Sequence, residues 1–77
     1  MRVTVKLYNE MKRFAPADQT EFSVELKPGS MAVSILEILK IPEGEKFTLL
    51  VDGRRADAGT PLFDGSTLVL FPPISGG

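Results

Sequence analysis

Val3, Val5 and Leu7 alternate with Thr4 and Lys6 near the start of the chain. A period of two with β-branched members predicts a strand over residues 2–8. Phe22, Val24 and Leu26 alternate with Ser23 and Glu25 and predict a second strand. Each presents one apolar face, as an antiparallel pair over a core requires. Residues 9–19 have weak periodicity and contain Pro16, so they read as a loop and the hairpin is a loose one. Pro28-Gly29 marks a turn, and Ser30 is placed to cap a helix with its hydroxyl. In the following run, 31–40, Ala32, Ile35, Leu36 and Leu39 fall at helical spacing and form one apolar stripe. Lys40 suits the negative end of that helix, and Pro42 stops it. So short a helix must pack on the sheet to be stable.

Residues 47–51 form an apolar third strand. Asp52-Gly53 then predicts a type I′ hairpin, whose two central residues both need positive φ, followed by a short strand over 54–56. Residues 57–65 are rich in turn formers, with Leu62 and Phe63 as expected anchors, and 67–71 is the last strand. Asp52, Asp57 and Asp64 occupy turn positions and are expected to act there. The order is two strands, one helix and three strands, an α+β domain with the helix across one sheet face. No internal repeat or low-complexity tract interrupts it.

Composition narrows the chemistry. The chain has 77 residues, which supports one small domain. It has no Cys and no His, which excludes disulfides, a Cys/His zinc site, a Cys-ligated cluster and Cys or Ser–His nucleophilic catalysis. An apolar fraction of 43% supplies the core instead. Nine basic and ten acidic residues give a net charge of −1, without the basic excess of a nucleic-acid binder. Charges break the N-terminal run before a signal-type apolar stretch forms, and no run reaches the roughly 20 apolar residues of a membrane span. A cytoplasmic protein without nucleic-acid or membrane partners is expected.

The last thirteen residues, GSTLVLFPPISGG, carry no ionisable side chain, although 25% of the chain is charged. Pro72 and Pro73 cannot donate ladder hydrogen bonds, so the strand ends before them. They favour an extended conformation that points the chain away from the body. From Pro72 to Gly77 the tail reaches roughly 20 Å. A frayed end is usually polar; this one is apolar, with Ile74 and Ser75 leading to Gly76 and Gly77. Without Cβ atoms, the glycines can enter a narrow channel. The arrangement suits delivery of the Gly77 carboxylate into another protein's active site.

The element order, Pro28-Gly29-Ser30, the Ile41-Pro42 exit, Asp52-Gly53-Arg54-Arg55, Thr60-Pro61-Leu62 and a closing Phe-Pro-Pro-Ile-Ser-Gly-Gly together resemble the MoaD branch of the ubiquitin-like β-grasp sulfur carriers. ThiS-type carriers share the Gly-Gly but are less similar at Phe-Pro-Pro. The resemblance implies a mixed, twisted sheet of about five strands on one helix, with a β-grasp domain over 1–71 and an extended flexible tail over 72–77. It implies that an adenylating, ubiquitin-activating-like enzyme uses ATP on the Gly77 carboxylate, and that a sulfur donor converts the adenylate to a thiocarboxylate. The chain would bind no cofactor or metal and would have no catalysis of its own. Its tail would enter the large subunit of molybdopterin synthase and give sulfur to a pterin precursor. Three alternatives stay open: a thiamine-type or other sulfur-transfer pathway, a protein modifier joined to lysines, and an interaction domain whose tail does no chemistry.

Phe71, Pro72 and Pro73 are candidate partner contacts. If Leu68 and Leu70 face the helix, alternation puts Phe71 on the opposite face. Tyr8 and Phe14 either extend that patch or pack in the core. The basic pairs Lys12-Arg13 and Arg54-Arg55 are either solvated charge or docking contacts to an acidic rim, with Lys12 and Arg54 as the candidates. Related carriers often have Arg near the first strand's exit, where this chain has Lys12, and the two are not interchangeable in bidentate contacts. Glu43 and Glu45 are expected to be solvated.

Overall fold

In the computed structural model, which describes residues 1–73, the period-two segments all become strands. They are β1 (Arg2–Leu7), β2 (Glu21–Glu25), β3 (Thr48–Val51), β4 (Arg54–Arg55) and β5 (Thr67–Phe71), with one helix, α1 (Ala32–Ile38). The sheet order is β2-β1-β5-β3-β4. β1 pairs with β2 antiparallel and with β5 parallel, while β3 pairs antiparallel with both β5 and β4. This is the expected mixed five-stranded β-grasp sheet.

Register explains the core. Val3 and Val5 of β1 lie opposite Val24 and Phe22 of β2. Across β5, Val5 meets Leu68 and Leu7 meets Leu70, which in turn oppose Val51 and Leu49 of β3. Opposed residues share a face, so one side of the sheet becomes continuous apolar surface. Ala32 and Ile35 of the helix and Leu39 at its C-cap cover it, and Leu62 and Met11 complete the core.

The segment 9–19 departs from the loop expectation. Asn9–Phe14 forms a 3-10 helix, and a further turn spans Pro16–Asp18. The first places Met11 in the core at 1% exposure. Met11 shares that side with Phe14 and Ala15 three and four residues on, a spacing too brief, and too close to Pro16, to stand out in the sequence.

Ser30 does not cap the helix. Its hydroxyl donates to the Lys27 carbonyl at 2.7 Å, closing the Pro28-Gly29 turn. The first amides of α1 instead donate to main chain across the fold: Ala32 to the Thr60 carbonyl and Val33 to that of Ala58, both at 2.9 Å. The Leu62 amide returns a bond to the Ser30 carbonyl at 3.0 Å. Backbone from the distant 58–62 segment thus satisfies donors that a capping side chain would otherwise take.

The helix also ends earlier than its apolar stripe. Lys40 adopts a left-handed φ of 57°. Its amide donates to Glu37, and that of Ile41 donates back to Leu36. This is the Schellman closure, with lysine where glycine is usual, so the chain has turned before Pro42.

Phe63, expected as an anchor beside Leu62, is 67% exposed, whereas Leu62 is buried. The reason is local. The Phe63 amide and carbonyl both bond to Ser66, while the Asp64 carboxylate and the Gly65 amide bind the backbone of Arg2. These bonds hold the turn with Leu62 inward and the next side chain outward.

Candidate functional site at the exit of strand β5

β5 is a central strand, held by β1 on one side and β3 on the other. Leu68 and Leu70 are fully buried against the helix side, while Thr67, Val69 and Phe71 are half-buried on the opposite face. Phe71 therefore stands on the open face, as alternation requires. The Tyr8 amide donates to the Leu70 carbonyl at 2.9 Å. On the other flank Thr48 lies opposite Phe71, and its hydroxyl stands 3.5 Å from the Pro72 carbonyl. The chain leaves between these two flanks. Pro73 is exposed. Ile74, Ser75, Gly76 and Gly77 lie outside the described residues.

The register assembles a patch around this exit. Val69 lies between Leu50 of β3 and Lys6 of β1, and Leu50 lies opposite Arg55 of β4. The open face thus has Leu50, Val69 and Phe71 at its centre, each half-buried. Lys6 and Arg55 flank them, and Thr4 and Thr67 continue the face toward the other end. Tyr8, 47% exposed, follows β1 directly. Half-exposed apolar side chains beside Lys6 and Arg55, at the foot of a tail without ionisable side chains, form a surface suited to protein docking.

The structure separates the other candidates. Phe14 packs on the core margin, with the Arg13 guanidinium 4.6 Å from its ring centroid. Arg13 also pairs with Glu45, so this basic residue and this carboxylate are not simply solvated. Lys12 is exposed on the 3-10 helix that follows β1. Arg54 opposes Val51, which puts it on the helix side of the sheet at the Asp52-Gly53 end, away from Phe71. It is Arg55 that shares the open face. Leu50, Val69 and Lys6 escaped sequence reasoning, which weighed Arg55 only as part of a basic pair, because their grouping depends on which strands are neighbours.

The turn aspartates act as expected and reach further. Asp52 (φ 51°) and Gly53 (φ 82°) form the left-handed pair of the hairpin. Asp52 also accepts the Thr67 amide at 2.8 Å, tying the hairpin to the start of β5. Asp57 accepts the Gly59 amide at 2.9 Å. Among the described residues no cluster of acidic, His or Cys side chains could hold a metal. Among them, too, no helix is long and apolar enough to cross a membrane.

A mixed five-stranded sheet clasping one helix, with the chain leaving a central strand through two prolines, defines the ubiquitin-like β-grasp class. The chain belongs to the ThiS family of β-grasp sulfur carriers, whose model matches residues 5–77. No curated protein sequence matches it. Solved structures share the fold at low identity. SAMP1 from Haloferax volcanii superposes with a TM-score of 0.79 at 21% identity, covering 100% of both chains. A proposed molybdopterin converting factor subunit 1 from Pyrococcus furiosus gives 0.78 at 23% identity, over 95% of this chain and 98% of that one. A chain in the complex of subunits 1 and 2 of the molybdopterin-converting factor from Helicobacter pylori gives 0.69 at 24%, over 100% of both.

Proposed function

We propose that the chain is the sulfur-donating small subunit of a molybdopterin synthase. A partner enzyme adenylates the Gly77 carboxylate with ATP and releases pyrophosphate. A sulfur donor then displaces AMP to leave a thiocarboxylate. The order follows from reactivity: a carboxylate is a poor electrophile, and the adenylate supplies a leaving group. The chain itself needs no cofactor, because the transferred sulfur rides on its terminus. The thiocarboxylate enters the large synthase subunit and gives its sulfur to a pterin precursor.

The observation that carries this reading is the Leu50–Val69–Phe71 patch at the root of the tail. A partner seated on that patch receives the tail directly, and Pro72-Pro73 aims it outward. The solved pairing of subunits 1 and 2 in the Helicobacter pylori converting factor supports a large-subunit partner.

Intact mass spectrometry after incubation with ATP, sulfide and an adenylating enzyme tests it. A gain equal to the sulfur–oxygen mass difference, lost on deletion of Gly77, is expected. An unchanged mass refutes it. Likeness to archaeal modifier proteins across the whole chain favours a second reading, in which the same adenylate is passed to lysine amines of target proteins. Denaturant-resistant conjugates in cells, with no thiocarboxylate, would select that one.

A further inference from the structure

On the helix side of the sheet a pocket of about 370 Å3 lies between α1 and the connection to β3, ending at Phe47, which precedes Thr48 opposite Phe71. Leu36, Ile41 and Phe47 give it apolar walls, and Glu37, Glu43 and Glu45 stand around it. The Schellman closure builds one side: the Ile41 amide donates to the Leu36 carbonyl at 3.1 Å, folding Ile41 back beside the helix. The volume lies within the range of roughly 300–1,000 Å3 typical of binding pockets. It accommodates one or two large side chains.

The charged side chains lining the pocket are all acidic. Glu45 is occupied by Arg13. Glu37 and Glu43 are exposed and have no ion-pair partner among the described residues. Lys40 and Lys46 adjoin the pocket in sequence but do not line it. With carboxylates and no cation in its lining, the pocket offers an anionic ligand no partner, and a purely apolar one leaves the carboxylates unused. A segment with a large apolar side chain between lysines or arginines satisfies both features. The protein already uses this chemistry once, where Arg13 stacks on Phe14 and reaches Glu45. That engagement also occupies the chain's own basic–aromatic run, Lys12-Arg13-Phe14, and argues against a second copy as the occupant.

We infer that this pocket docks a basic, apolar peptide segment of a partner protein, and that it does so independently of the open face. A partner held there leaves Leu50, Val69 and Phe71 free, so two proteins can be bound at once. The inference does not rest on the chemistry of the tail.

The test is an NMR titration of the 15N-labelled full chain with a synthetic peptide whose central Leu-Phe pair is flanked by two lysines on each side. A matched peptide carries glutamate in place of lysine. Saturable shifts at the amides of Leu36, Ile41 and Phe47, and none at Thr4 or Val69 of the open face, are expected from the basic peptide alone. The double variant Glu37→Lys with Glu43→Lys should weaken binding by roughly tenfold or more, with an unchanged circular dichroism spectrum. Phe71→Ala should bind the peptide as the parent does. No pocket shifts at millimolar peptide, an equal response to the acidic peptide, or shifts confined to the open face would each overturn the proposal. So would pocket shifts that depend on protein concentration without peptide, which would make a second copy the occupant.

Discussion

The backbone amide of Tyr8 donates to the carbonyl of Leu70 at 2.9 Å, so the pairing of β1 with β5 extends past Leu7 to the residue before Phe71. The exit of the tail is therefore anchored to the central strands. Phe71 is a fixed element of the open face, and its loss should be felt by a partner more than by the fold. Phe71→Ala is expected to weaken binding to the adenylating partner by about 30-fold, the size of an interface anchor. It should cost only about 1 kcal/mol of stability, because the ring is half-buried. Calorimetric titration and thermal melting separate the two effects. Phe63→Ala, at 67% exposure on the opposite end of β5, should change neither.

Gly76→Val addresses the tail itself. Under the proposed function, a β-branched side chain at position 76 would block a partner channel that admits only bare backbone. Thiocarboxylate formation should fall to background in the mass assay, with the melting temperature unchanged. Normal thiocarboxylate yield from this variant would remove the reason for ending in glycine.

Met11 is buried to 1% exposure by a 3-10 helix outside the regular elements. Met11→Ala should cost about 2–4 kcal/mol. In a domain of this size that lowers the melting temperature by about 10 °C or more. A shift of only a degree or two would mean that the 9–14 segment is not an integral part of the core.

Asp52 combines a left-handed backbone with a 2.8 Å bond to the Thr67 amide. Asp52→Ala loses both contributions and should destabilise by about 1–2 kcal/mol. Asp52→Asn keeps an acceptor oxygen and tolerates the left-handed region, so it should retain most of the stability. Equal denaturation midpoints for the two variants would contradict this assignment.

Lys40 closes the helix at φ 57°, where a Cβ is disfavoured. Lys40→Gly relieves that conflict and should stabilise the protein by about 0.5–1 kcal/mol, even though glycine loses more entropy on folding. Urea denaturation measures the sign directly. Destabilisation would show that the lysine side chain does more than end the helix.

Local periodicity, turn residues and composition were enough to locate every strand, the helix, the Asp52-Gly53 hairpin and the tail without ionisable side chains behind Phe71-Pro72-Pro73. These features depend on the pleat, the helical repeat and the conformational limits of glycine and proline, all of which act within a few residues. Tertiary structure alone decided that β5 inserts between β1 and β3, and that decision gathers Leu50, Val69, Lys6 and Arg55 around Phe71. It also decided that the carbonyls of Ala58 and Thr60, not the Ser30 hydroxyl, satisfy the helix start, and that Met11 is core. Each of these is a pairing between residues far apart in the chain. Its energy comes from long-range hydrogen bonds and shared burial, and neither leaves a period in the sequence.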